Sequence, residues 1–119
     1  MRPPDDDEPV LAVRFYAVSP GHEPVRRWLL GLSPGDRLVL GLDIKAVQYG
    51  WPMGMPLVRK LDPGLWEVRS HVLGGAARVV FTVEGSVMVL LHGFVKKPEK
   101  MPASDLWTAK QRARDLRKG

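Results

Sequence analysis

A chain of 119 residues, 45% hydrophobic and 26% charged, supports one domain with its own core and is too short for two. With no cysteine it has neither disulfides nor thiolate zinc sites, three histidines (His22, His71, His92) do not suggest a metal cage, and no apolar run approaches the roughly 20 residues that span a bilayer. The net charge of +5 is unevenly placed: residues 1–56 hold six Lys/Arg against seven Asp/Glu, and residues 57–119 hold twelve against six.

Such asymmetry points to a polyanionic partner, because Lys and Arg contacts to phosphates release counterions and supply much of nucleic-acid affinity. Plain solubility charge is the alternative reading of composition alone. The reading at this level is a cytoplasmic protein without a cofactor, a metal or a membrane partner.

Residues 1–9 are acidic and proline-rich and read as a flexible leader, so residues 10–119 form the domain. A first strand follows, with Leu11, Val13 and Phe15 on one side, and ends at the turn Ser19-Pro20-Gly21. Pro24 opens a short helix whose Val25, Trp28, Leu29 and Leu32 make one apolar stripe. Ser33, Pro34 and Asp36 are an N-cap, a first helical residue and a first-turn acid for a second helix, along which Val39, Leu42, Ala46 and Tyr49 recur at helical spacing. Gly50 and Pro52 stop it.

After Pro56 the period changes from 3.6 to 2. Runs at 57–61, 65–72, 76–83 and 87–94, separated by Asp62-Pro63-Gly64, Gly74-Gly75 and Glu84-Gly85-Ser86, predict an antiparallel meander. Pro102 opens a last helix with Leu106, Ala109, Ala113 and Leu116 on one stripe and Lys110, Arg112, Arg114, Arg117 and Lys118 on the others. The predicted order is β-α-α-β-β-β-β-α, an α+β fold with helices packed on one side of the sheet. Trp28, Trp66 and Tyr49 are expected in the core.

Alternation also sorts the polar side chains. Trp66, Val68 and Val72 share one face of their strand, so Glu67, Arg69 and His71 project from the other, and Arg78 lies with Val80 and Thr82 opposite Ala77, Val79, Phe81 and Val83. The run at 87–94 is apolar on both faces, reads as a central strand, and leads into Lys96-Lys97-Pro98-Glu99-Lys100. Each of these residues has an ordinary reading. Arg69 pairs with Glu67 or Asp105, Arg78 braces the last helix, His92 is a satisfied core histidine, the lysines line a solvated loop, and Trp107 packs.

Four pieces in order, Leu65-Trp66-Glu67-Val68-Arg69, Ala77-Arg78-Val79-Val80-Phe81, Leu90-Leu91-His92-Gly93-Phe94-Val95-Lys96-Lys97, and Pro102 opening a basic helix, resemble the phage-related HigB branch of the RelE/ParE toxin superfamily. The resemblance covers about residues 10–117. It implies a RelE-like fold, a twisted antiparallel sheet with an N-terminal helical hairpin and a C-terminal helix. It also implies the toxin of a type II toxin–antitoxin system, a metal-independent endoribonuclease that cuts mRNA in the ribosomal A site and is neutralised by a cognate helix-turn-helix antitoxin.

In that chemistry the RNA 2′-hydroxyl attacks the adjacent phosphate, which calls for a proton acceptor, positive charge on the phosphorane and a proton donor for the departing 5′-oxygen. By analogy Arg69 would stabilise the phosphate, and Lys96 and Lys97 would stabilise charge or protonate the leaving group. His92 is an alternative base, since imidazole titrates near neutrality. Lys60, Arg78, Lys100 and Trp107 are assigned as RNA contacts, Trp107 by stacking on a base. Met101 stands where relatives commonly have a helix-capping threonine or serine, and Trp107 is the aromatic nearest the place where RelE carries a base-stacking tyrosine. Two alternatives share the fold: a ParE-like inhibitor of DNA gyrase and a non-catalytic corepressor remnant.

Overall fold

Ser33 and Pro34 show how local chemistry starts an element in this chain. The Ser33 hydroxyl accepts from the backbone N–H of Asp36 at 3.3 Å, and Pro34 fills the first helical position, where a missing N–H costs nothing. The computed structural model describes residues 8–96 and 103–118. In chain order these form β1 (Ala12–Phe15), α1 (Pro24–Leu30), α2 (Pro34–Gly50), β2 (Val58–Asp62), β3 (Leu65–Val72), β4 (Gly75–Glu84), β5 (Val87–Lys96) and α3 (Ala103–Lys118). The fold is α+β in the expected order. Lys97, Lys100, Met101 and Pro102 lie outside the described residues, as does most of the acidic leader.

The five strands form one sheet in the order β1-β5-β4-β3-β2. β2 to β5 are the antiparallel meander, and β1 is a difference from a wholly antiparallel sheet: it returns to pair parallel with β5, Ala12 against Val87 and Phe15 against Leu90. Asp62-Pro63-Gly64 makes the β2–β3 turn, with Gly64 at φ +75°, a left-handed conformation that favours glycine.

The helices are divided between the two faces of the sheet, a correction to the expectation that they pack on one side. Val25 of α1 and Leu40, Ile44 and Val47 of α2 bury against Val58, Val68, Val79, Phe81, Met88 and Leu90. Ala109 and Ala113 of α3 bury against Leu65, Val80, Val89 and Leu91 on the opposite face. A sheet that is apolar on both sides in its central strands needs cover on both.

The packed stripe of α2 is also a correction. Leu40, Ile44 and Val47 are buried, whereas Leu42, Ala46 and Tyr49 are exposed, because α2 carries two apolar stripes at helical spacing and only one meets the sheet. Tyr49 is thus not core. Trp28 and Trp66 do pack there, and Trp66, Trp51 and Phe81 form an aromatic trio with ring centroids 5.0–6.0 Å apart.

Two contacts lock α1 and α2 to the sheet. Gly93 of β5 lies under the Trp28 indole so closely that a Cβ there would fall 2.4 Å from a ring carbon. Asp36, read from sequence only as a first-turn acid, is buried and accepts the backbone N–H groups of Leu73 and Gly74 at 3.0 and 3.4 Å, fastening the β3–β4 turn to the start of α2.

Candidate nucleic-acid interface

Strand alternation and register together build a cluster of guanidinium groups on the α3 face. Arg59 stands opposite Glu67 in the β2–β3 register, and Arg69 stands opposite Arg78 in the β3–β4 register. Glu67 and Arg69 are two residues apart and project from the same face. The Glu67 carboxylate accepts from Arg69 Nη1 at 2.9 Å, and Nε of Arg78 lies 3.9 Å from the same oxygen. Two arginines therefore share one carboxylate, and Arg59 adds a third positive charge beside them.

This arrangement is costly for a structural purpose. Like charges directly across a strand pair destabilise it, and buried charges need full hydrogen-bond satisfaction. Yet the side chains of Arg78 and Glu67 are only 5% and 4% exposed. Arg78 gives one hydrogen bond from Nη1 to the Ala77 carbonyl at 3.0 Å, and its buried Nε has no partner. Burial, with Arg69 and Arg59 nearby, pulls the Arg78 pKa below the ordinary arginine value, and Glu67 only partly opposes this. Arg69, with its side chain 22% exposed, and the exposed Arg59 face solvent. The cluster is a concentrated positive site with two charges in excess of its internal anion.

β5 carries a bulge beside this cluster. Val80 pairs with His92 and Phe81 with Leu90, so Leu91 is the extra residue, and the carbonyl that the ladder leaves free accepts from Arg112 of α3 at 2.7 Å. The bulge places Leu91 and His92 on the same face, toward α3. His92 Nε2 is 2.6 Å from the Asp105 carboxylate, its Nδ1 is 3.5 Å from Arg112 Nη1, and its ring stacks on Phe94. Both ring nitrogens are thereby engaged inside the fold, joining β5 to the first turn and the middle of α3. Arg112 also lies over the Tyr16 ring, and the Tyr16 hydroxyl donates to Asp115 at 2.6 Å. Burial lowers the Arg112 pKa, which Tyr16 opposes, and the hydrogen bond to Asp115, followed by burial, raises that of Tyr16.

The sequence-predicted residues divide accordingly. Arg69 and Arg78 come together around Glu67, and Arg78 pairs there rather than bracing α3 through any ion pair among the described residues. Lys96 closes β5 opposite Ala76, half-buried, two residues beyond the Phe94 that pairs with Arg78. Lys60 is placed apart, on the α1–α2 face, with its ammonium 6.0 Å from the Trp66 ring centroid. Trp107 is 64% exposed and, two residues before the buried Ala109, points away from the sheet. Lys97 and Lys100 lie outside the described residues. Sequence reasoning missed Arg59 and the organising role of Glu67; their signal was the same-face Glu67-x-Arg69 pair, which acquires meaning only once the register sets Arg59 and Arg78 beside it.

A family model of phage-derived Gp49-like proteins matches residues 27–114. The chain belongs to this Gp49-like family. The match covers the end of α1, all of α2, the meander, the arginine cluster and most of α3, and the family is one of RelE-like toxins associated with toxin–antitoxin systems. The five-stranded twisted sheet with three helices agrees with a RelE-like fold. Among curated proteins none matches the Gp49-like chain. Membership implies an antitoxin partner, and no helix of the described residues is long and apolar enough to cross a membrane.

Proposed function

We propose that this Gp49-like toxin is a ribosome-dependent, metal-independent mRNA endonuclease of the HigB type, held in check by a helix-turn-helix antitoxin. The observation that carries the reading is the pair of uncompensated positive charges around Glu67. A phosphodiester carries one negative charge and the phosphorane formed from it carries two, so a preorganised surplus of two guanidinium charges favours the transition state over the ground state.

In the proposed reaction the 2′-hydroxyl of a nucleotide gives its proton to solvent water as its oxygen bonds to the adjacent phosphorus, the bond from phosphorus to the 5′-oxygen breaks, and a 2′,3′-cyclic phosphate and, once that oxygen is protonated, a 5′-hydroxyl result. Arg69, the partly exposed member, contacts the nonbridging oxygens, and Arg78, held by Glu67 beneath it, sustains the local field. Lys96, at the end of β5, and Lys97, next to it in sequence, supply the proton for the leaving oxygen. His92 is left as a strut, since both its nitrogens are already engaged.

Primer extension on an mRNA in a reconstituted translation reaction tests this. Cleavage inside codons only when ribosomes are present is the expected result; Lys97→Ala is expected to abolish it with the melting temperature nearly unchanged, and Arg69→Ala to abolish it in a folded chain whose melting temperature falls with the lost hydrogen bond to Glu67. Intact mRNA together with accumulated gyrase–DNA breaks would overturn it in favour of a ParE-like inhibitor. Normal growth after induced expression would overturn it in favour of a corepressor remnant.

A further inference from the structure

A second basic concavity lies on the same side of the sheet as the arginine cluster. It is a cavity of about 310 Å³ between the β2–β3 turn and the C-terminal half of α3, walled by Lys110, Arg114, Arg117 and Lys118, with Leu65 in its floor and Asp62 the one acid in its lining. Lys110 and Asp62 are 3.6 Å apart, both about half exposed.

The helix dipole explains only part of this charge. Cations in the last turn of a helix are favoured, but the effect fades within that turn, and Lys110 and Arg114 lie before it. Lys110, Arg114 and Lys118 follow one another at i, i+4 and i+8, an arrangement that repels along the helix. The fold gains nothing from that repulsion, and a bound polyanion would relieve it.

The groove lies on the same face of the sheet as the cluster. Leu65, Glu67 and Arg69 alternate along the same face of β3, so Leu65 lies roughly 13 Å along the strand from Arg69, and Asp62 lies roughly 10 Å from Arg59. We infer that the groove is a track for the RNA backbone flanking the nucleotides held at the arginine cluster, Lys110, Arg114 and Arg117 contacting successive phosphates. The inference rests on the nucleic-acid reading of that cluster. A groove that follows the backbone extends affinity without reading sequence, as in other single-strand binders.

The test is fluorescence anisotropy of the full chain with labelled single-stranded RNAs of about 4 and about 14 nucleotides, the range of single-strand site sizes, between about 50 and about 200 mM salt. Wild type is expected to bind the longer RNA at least tenfold more tightly. Combined Lys110→Gln, Arg114→Gln and Arg117→Gln should remove that advantage, leave the short RNA unaffected, and reduce the slope of log affinity against log salt by about 2. Asp62→Asn, which removes the competing carboxylate, should strengthen binding of the long RNA alone, and as a single exposed change it serves as the independent check should the triple variant misfold.

Equal wild-type affinity for the two lengths, or a triple variant with an unchanged salt slope, overturns the track while leaving the cluster standing. Failure of wild type to hold even the short RNA overturns the reading of the cluster itself. Displacement of the long RNA by polyglutamate at matched charge overturns the nucleic-acid assignment in favour of an acidic protein segment.

Discussion

The two faces of the one sheet are built on opposite principles. Against α1 and α2 the sheet presents Val68, Val79, Phe81, Met88 and Leu90, with an aromatic trio and an indole seated on a glycine, and stability there is dispersion and removal of apolar surface from water. Against α3 only the lower part of the sheet is apolar, at Leu65, Val80, Val89 and Leu91, and beside it the same strands bury Glu67 and Arg78 with incomplete pairing. One face holds the fold together, and the other carries the incompletely paired charge on which the proposed function rests. Unsatisfied buried charge at one place on an otherwise well-packed sheet costs stability, and that cost is the reason the proposed function is placed there.

The comparison is sharpened first by removing a member of the apolar face. Phe81→Ala should cost about 4 kcal/mol by denaturant unfolding, since it removes the fully buried member of the aromatic trio, and no added anion should recover the loss. On the polar face, Glu67→Gln should cost about 3 kcal/mol, because it leaves Arg78 buried without a countercharge. Here inorganic phosphate or sulfate should restore part of the melting temperature. If phosphate rescues both variants or neither, the two faces do not differ in kind.

Gly93→Ala should cost about 2 kcal/mol, as Trp28 must give way to the new methyl group. Combining it with Trp28→Leu should cost less than the two changes added together, because both act on one contact. Additive costs in this cycle would show that the close approach is not what constrains the position.

The smallest effect concerns the edge of the polar face. Tyr16→Phe removes the hydrogen bond to Asp115 and should cost about 1 kcal/mol near neutral pH. The Tyr16 pKa is raised in the folded state, so the protonated phenol is the form that folding favours. Its contribution is full below the unfolded value of about 10 and is lost as pH rises through the higher folded value. Unfolding titrations of wild type and Tyr16→Phe should therefore converge above pH 10, and a constant gap across that range would remove the titration from the account.

The element order, the α1 stripe of Val25, Trp28, Leu29 and Leu32, the Ser33 cap, the α3 stripe and the concentration of basic residues after position 56 were all legible in the sequence, because each depends on local periodicity, on turn chemistry or on a simple count. Alternation alone also put Glu67, Arg69 and Arg78 on the face away from the Trp66 and Val79 side chains. Only the tertiary structure decided that α2 buries Leu40, Ile44 and Val47 rather than its competing stripe, that α3 takes the opposite face from the hairpin, and that β1 joins parallel to β5. It alone set Arg59 across from Glu67 and Arg69 across from Arg78, and moved Lys60 to the far side. The reason is physical: periodicity says which side chains share a face, but register and the choice of face arise from contacts between segments distant in sequence, and a single bulge at Leu91 is enough to change them.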